Sequence, residues 1–152
     1  MNERDKIEKS VHEEVERIEE EIAQWIKYAQ NDYDLVSHLF YGDYYPKPLE
    51  IICYHCSQAA EKVLKALFIH LKCRGGVPKT HDIQFLLSQI KDALKDEKRV
   101  DIPSEIYDWG AELTKYSVAA RYPNELNIDE PLTKEAVVHM EKFFQWVKKI
   151  LD

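Results

Sequence analysis

The chain has 152 residues with 28 acidic against 21 basic side chains, a net charge of -7 and a pI near 5.4. That length fits one domain able to bury roughly two-thirds of its unfolded surface without staples, and the acidic balance excludes a broad basic face for duplex DNA. The N-terminus lacks an apolar signal core and no stretch reaches the ~18 uninterrupted apolar residues of a membrane span, so a soluble, cytoplasmic protein with no membrane contact is expected.

The opening segment places Ile7, Val11, Val15, Ile18, Ile22, Trp25 and Ala29 at spacings of four and three, with Glu and Arg between them and no Pro or Gly before Gly42. This heptad-like seam predicts one helix from about Asp5 to Tyr41, on the order of 55 Å long. Its first part, residues 1–20, outruns a compact bundle. The exposed seam there requires a cover, either the last helix of the same chain or a second subunit, and a homodimer is expected.

Gly42 to Pro48 marks a turn, and a second helix is expected from about Pro48 to Cys73, with Pro46 and Pro48 suited to its first turn. Within it Ile52, Ala59, Ala60, Val63, Leu64, Leu67 and Leu71 cover most of the circumference. A helix that apolar touches neighbours on at least two sides, which makes it the centre of an all-α bundle. Its polar residues His55, Gln58, Glu61, Lys62 and Lys65 fall on one stripe. The stripe is either a solvated face or the lining of a cleft, where an imidazole, an amide and an ammonium would meet a nucleotide's phosphate and base edges.

Cys53 and Cys56 form a C-x-x-C, but Cys73 lies about 25 Å further along the same helix at 1.5 Å per residue. An odd number of thiols in a chain of this size reads as reduced cysteines at apolar helix positions. Neither a metal site nor a cofactor is expected.

Gly75-Gly76 and Pro78 stop the second helix. Thr80 is the expected N-cap of a third, with Ile83, Leu86, Leu87, Ile90 and Leu94 at core spacing. His81 reads as a packed or capping residue in its first turn. Pro103 and Ser104 open a fourth helix bearing Ile106, Trp109, Leu113 and Tyr116, which ends near Arg121-Tyr122-Pro123 because Pro123 pushes Tyr122 out of helical conformation. Thr133 is the expected cap of a fifth helix with Val137, Met140, Phe144 and Val147 inward. The expectation is an up-and-down bundle of about five helices with an extended N-terminal helix, forming a single domain.

Arg121 is a guanidinium at a rigid helix end beside the Tyr122 ring, suited to a phosphate or a base. It is equally suited to an internal pair with Asp32, the acid on the mostly apolar face of the first helix. Gly75-Gly76 is too short for a P-loop and lacks the following Lys-Ser or Lys-Thr.

Four of these pieces stand in one order: Ala29 and Asp32 in the first helix, the His55 to Leu67 segment with its Gln58-Ala59-Ala60-Glu61-Lys62 core, Thr80-His81-Asp82 after a glycine turn, and Ala120-Arg121-Tyr122-Pro123 before the last helix. Together the chain resembles the HEPN domain family (higher eukaryotes and prokaryotes nucleotide-binding) over residues 22–151. The resemblance implies nucleotide or RNA binding, commonly in partnership with a minimal nucleotidyltransferase in a toxin-antitoxin-like system. On that reading Arg121, Tyr122, His55, Gln58 and Lys62 are the binding residues, with Asp32 and Pro123 structural. Ribonuclease members of the family pair an Arg with a His after four to six intervening residues, the His moving protons and the Arg stabilising the phosphorane. Arg121 has no such His. Arg74 and His81 have the spacing but sit across a helix connection, so they are weak catalytic candidates for a metal-independent endoribonuclease, and a non-enzymatic binding protein is the leading expectation. A third possibility is a helical interaction module without a ligand. The residue two after His81 is Ile83, so the modifiable Tyr found at that place in well-described toxins is missing here.

Overall fold

The computed structural model describes residues 1–71, 76–96, 101–119, 123 and 126–152. Five helices follow in chain order: α1 Glu3–Tyr41, α2 Leu49–His70, α3 Ile83–Asp96, α4 Ser104–Ala119 and α5 Glu130–Leu151. The fold is the expected all-α bundle, and α2 is its centre, in contact with each of the other four helices. Ile52, Ala59, Ala60, Leu64 and Leu67 of α2 are fully buried, joined by Leu86, Leu87 and Ile90 of α3, Leu113 of α4, and Val137, Met140 and Phe143 of α5. Cys53 and Cys56 belong to this core, with 0% exposure and no disulfide. Burial pushes the Cys53 thiol up to about 11, and it pushes Cys56 well above its ordinary value.

The first helix is continuous, as the unbroken seam predicts. Asn2 caps it by accepting from the Asp5 N–H at 2.8 Å. At the other end Lys47 Nζ donates to the carbonyls of Leu39 and Gly42, satisfying acceptors that the ending helix leaves free. The connection returns the chain antiparallel: Asp32 of α1 meets His55 and Lys62 of α2, while Trp25, two turns earlier, meets Lys65. Tyr41 then ties α1 to α5 through a hydrogen bond from its hydroxyl to Glu141 at 2.7 Å.

Several boundaries differ from the sequence reading. Pro46 stands before α2 after a cis Tyr45–Pro46 bond, and Pro48 is the N-cap position, so neither proline lies in the first turn. The α2 helix ends at His70 rather than Cys73; residue 73 is outside the described residues. Asp82, not Thr80, caps α3: its Oδ1 accepts from the Gln84 and Phe85 N–H groups, while Thr80 Oγ1 accepts from the Asp82 N–H one step earlier. His81 therefore precedes α3 instead of sitting in its first turn. Asp129, not Thr133, caps α5 by accepting from Leu132 N at 2.9 Å. Thr133 is fully buried inside the helix, its hydroxyl donating to Asp129 O and accepting the Cys53 thiol at 3.5 Å.

The N-terminal seam is left uncovered. Apart from Ile18, every residue from 1 to 21 is exposed, and Ile7, Val11 and Val15 are 60%, 58% and 47% exposed. The last helix of the same chain does not cover them.

Candidate functional site

The polar stripe of α2 is not a solvated face. Its helix spacing brings His55, Gln58, Lys62 and Lys65 to one side, and the antiparallel packing lays that side along α1. Gln58, Glu61 and Lys65 are 7%, 3% and 6% exposed. Groups this costly to bury need partners, and those of the two acids are specific.

Asp32 is the first organiser. Its Oδ1 lies 2.8 Å from His55 Nδ1 and its Oδ2 accepts from Lys62 Nζ at 2.6 Å. Burial works against ionisation of Asp32 and is the largest single influence. The hydrogen bonds from His55 and Lys62, with their charges, together outweigh it and hold the carboxyl below the ordinary 3.8. An ionised Asp32 can only accept, so His55 Nδ1 carries the proton and donates it, which fixes the ring and leaves Nε2 as its outward nitrogen. The His55 and Lys62 side chains are each 26% exposed. They are held from within and reachable from without.

Glu61 is the second organiser, one stripe position away. Its Oε2 accepts from Lys65 Nζ at 3.2 Å and its Oε1 lies 2.7 Å from His81 Nδ1. The Lys65 ammonium also stands 5.3 Å from the centroid of the Trp25 ring, a cation–π distance. The carboxylate and ammonium are almost fully enclosed, whereas the His81 side chain remains 57% exposed.

On the same stripe, the Gln58 Nε2 is buried and has no hydrogen-bond partner among the described residues. A buried amide donor left unpaired costs about 1–3 kcal/mol, which is the kind of defect that a ligand repairs. The rim is apolar: Tyr28 and Leu35, one turn either side of Asp32 on α1, are 56% and 38% exposed, and Ile51, one turn before His55, is 51% exposed.

Of the sequence-derived candidates, the fold brings His55 and Lys62 to Asp32, with Gln58 buried on the same α2 stripe. Asp32 is an internal acid, and the partners seen are His55 and Lys62 of α2. Arg121, Tyr122 and Arg74 lie outside the described residues, and Pro123 is exposed. His81 joins the stripe through Glu61, separately from the Asp32 centre. Sequence reasoning missed Tyr28, whose only signal was its place four residues before Asp32, and it missed Glu61 as the holder of His81. Among the described residues no group of three or more His, Cys, Asp or Glu is arranged to hold a metal ion, and no helix is long and apolar enough to cross a membrane.

A family model, the HEPN domain, matches residues 22–150. The chain belongs to the HEPN domain family. Solved structures share the fold. TT1696 from Thermus thermophilus is 24% identical with a TM-score of 0.64, the match covering 84% of this chain and 96% of that one. ST0689, an archaeal HEPN homologue, is 22% identical with a TM-score of 0.59, covering 86% of this chain and 98% of that one. No curated protein matches the chain. The HEPN match begins at residue 22, so the exposed N-terminal seam precedes the family core.

Proposed function

We propose that this HEPN protein binds a nucleotide or single-stranded RNA over the α1–α2 stripe, as the binding half of a pair with a minimal nucleotidyltransferase in a toxin-antitoxin-like system. The observation that carries the reading is the buried Gln58 Nε2, without a partner among the described residues, on one helix stripe with an imidazole and an ammonium that Asp32 holds in fixed orientation. Lys62 offers a charge-assisted donor to a phosphate, and His55, whose Nδ1 proton is taken by Asp32, offers its Nε2 as an acceptor to a ribose hydroxyl or a base N–H. Gln58 offers an amide to a base edge, and the exposed Tyr28 ring offers a surface for stacking. Arg121 and Tyr122 are assigned to the same site from the sequence alone. Because Asp32 neutralises one positive charge in this centre, binding rests on hydrogen-bond geometry more than on net charge, which fits an acidic protein.

The test is titration of fluorescent single-stranded RNA and of ATP into the protein. Lys62→Met and Arg121→Ala should each lower affinity roughly tenfold, the effect of losing one hydrogen bond to a charged group, and Gln58→Leu about fivefold, the effect of losing a neutral one, with the helical signal intact. Unchanged affinity in all three variants overturns the site. Co-purification with a small nucleotidyltransferase encoded beside it tests the partnership.

One observation favours a second reading as a metal-independent endoribonuclease: His81 is exposed while a buried Glu61 fixes its Nδ1, the arrangement of a positioned general acid or base. Robust cleavage of single-stranded RNA in EDTA that disappears in His81→Ala would establish it. Little cleavage is expected, since Arg121 lacks a His at the family spacing.

A further inference from the structure

We infer that the N-terminal extension pairs with a second copy of itself, antiparallel, about a two-fold axis through Val11. The unpartnered face is Ile7, Val11 and Val15, spaced four apart on a continuous helix, 47% to 60% exposed and outside the HEPN core. Val11 is its midpoint. An antiparallel two-fold there sets Ile7 of one chain against Val15 of the partner subunit and Val11 against its own copy, so the patch is self-complementary and the contact closes.

Charge decides the direction. Residues 13–21 carry six glutamates (Glu13, Glu14, Glu16, Glu19, Glu20 and Glu21) against the single base Arg17, while residues 1–9 balance Arg4, Lys6 and Lys9 against Glu3, Asp5 and Glu8. A parallel pair in register would lay one strongly acidic block beside the other. The antiparallel pair instead lays each acidic block beside the partner's balanced block, where the bases stand, and it opposes the helix dipoles. Acids and bases of this segment meet in exposed pairs within the same helix, such as Arg4 with Glu8 and Arg17 with Glu14. Such pairs are weak enough to be shared with a partner.

Residue i lies level with residue 22 − i of the other chain, so the two extensions lie side by side over their whole length. This inference does not depend on the ligand reading.

Cysteine cross-linking of the full-length protein tests it, with the wild type as control for the native thiols. Val11→Cys brings two thiols together at the axis and should oxidise to a covalent dimer. Ile7→Cys alone should not, because its two copies stand eight residues apart along the axis, about 12 Å, beyond disulfide reach. The double variant Ile7→Cys with Val15→Cys should cross-link again. Val11→Glu should abolish the dimer in sedimentation while retaining the helical signal of the bundle. Self-cross-linking of Ile7→Cys as efficient as that of Val11→Cys would establish a parallel pair and overturn the proposal. A full-length wild type that sediments as a monomer at tens of micromolar, or a Val11→Glu variant that remains dimeric, would overturn it as well.

Discussion

The carboxylate of Asp32 holds His55 Nδ1 at 2.8 Å across the α1–α2 contact, joining residues 23 positions apart in the chain. The same carboxylate takes Lys62 on its other oxygen, so one buried acid fixes two partly exposed donors. Asp32→Asn removes the charge and lets the imidazole choose its tautomer. It should cost about 2 kcal/mol in urea unfolding, the range of hydrogen bonds to charged groups, and should weaken ligand binding as well. Because His55 and Lys62 reach solvent, the loss should stay well below that of a fully enclosed ion pair.

Glu61 and Lys65 are such an enclosed pair. Glu61→Gln strands an ammonium that is 7% exposed and should cost about 3–5 kcal/mol. Lys65→Met should cost less, since Glu61 keeps His81 as a partner. Replacing both, Glu61→Leu with Lys65→Met, should bring stability back to within about 1 kcal/mol of wild type, as buried pairs exchanged for apolar groups generally do. If the double variant is no more stable than Glu61→Gln, the pair contributes more than its mutual charge compensation.

Acid should destabilise the protein in two stages. His139 stacks on Trp109 at 5.1 Å between α4 and α5; burial lowers its pKa below the ordinary 6.5, against the opposing pull of Glu112 and Glu135. Its Nδ1 comes within 3.3 Å of Glu112 but lacks hydrogen-bond geometry, so the acid does not rescue the charged ring. With the folded pKa below the unfolded one, the unfolded chain binds more protons, and stability falls as pH drops below about 6.5. Asp32 adds its share above its unfolded value of 3.8 and loses it as pH falls through the lower folded value. Melting temperatures from pH 7.5 to 5.5 should decline in wild type and stay flatter in His139→Gln. A parallel decline in both would remove His139 as the cause.

Much of this was legible in the residues because helical periodicity is a local property. The apolar coverage of α2 marks it as central, and the unbroken seam marks α1 as one long helix. Caps were harder: Thr80 and Asp82 are both good N-cap types two residues apart, and only the backbone path shows that Asp82 meets the first free N–H groups. Thr133 reads as a cap until the packing turns its hydroxyl toward Cys53. The site divides in the same way. Spacing of seven puts His55 and Lys62 on one stripe, but the acid that binds both lies 23 and 30 residues upstream; its apolar helix face marks Asp32 as internal, and no local pattern tells which bases it meets. Glu61 misleads in the opposite direction, because a glutamate on a helix ordinarily faces water.

Gly110 sits where α4 packs closely against α3 and α5, and it offers a test of how tightly the bundle is packed. A Cβ there would stand 3.0 Å from Ile83 Cγ2, 3.1 Å from Leu87 Cδ1 and 3.5 Å from Phe143 Cζ. Helix propensity alone favours Gly110→Ala by about 1 kcal/mol, whereas overpacking costs about 1–3 kcal/mol. The neighbours have limited room to yield: the Ile83 N–H donates to Thr114 Oγ1 at 3.2 Å, and that hydroxyl donates to Gly110 O at 2.8 Å, pinning the start of α3 to this turn of α4. Crowding should therefore win, leaving Gly110→Ala less stable by about 1 kcal/mol. Ile83→Ala removes the nearest methyl without touching the backbone bond. Combined with Gly110→Ala it should show a favourable coupling of at least about 0.5 kcal/mol in a double-mutant cycle. A Gly110→Ala variant more stable than wild type would mean that α3 shifts freely and that the Thr114 link does not fix the two helices.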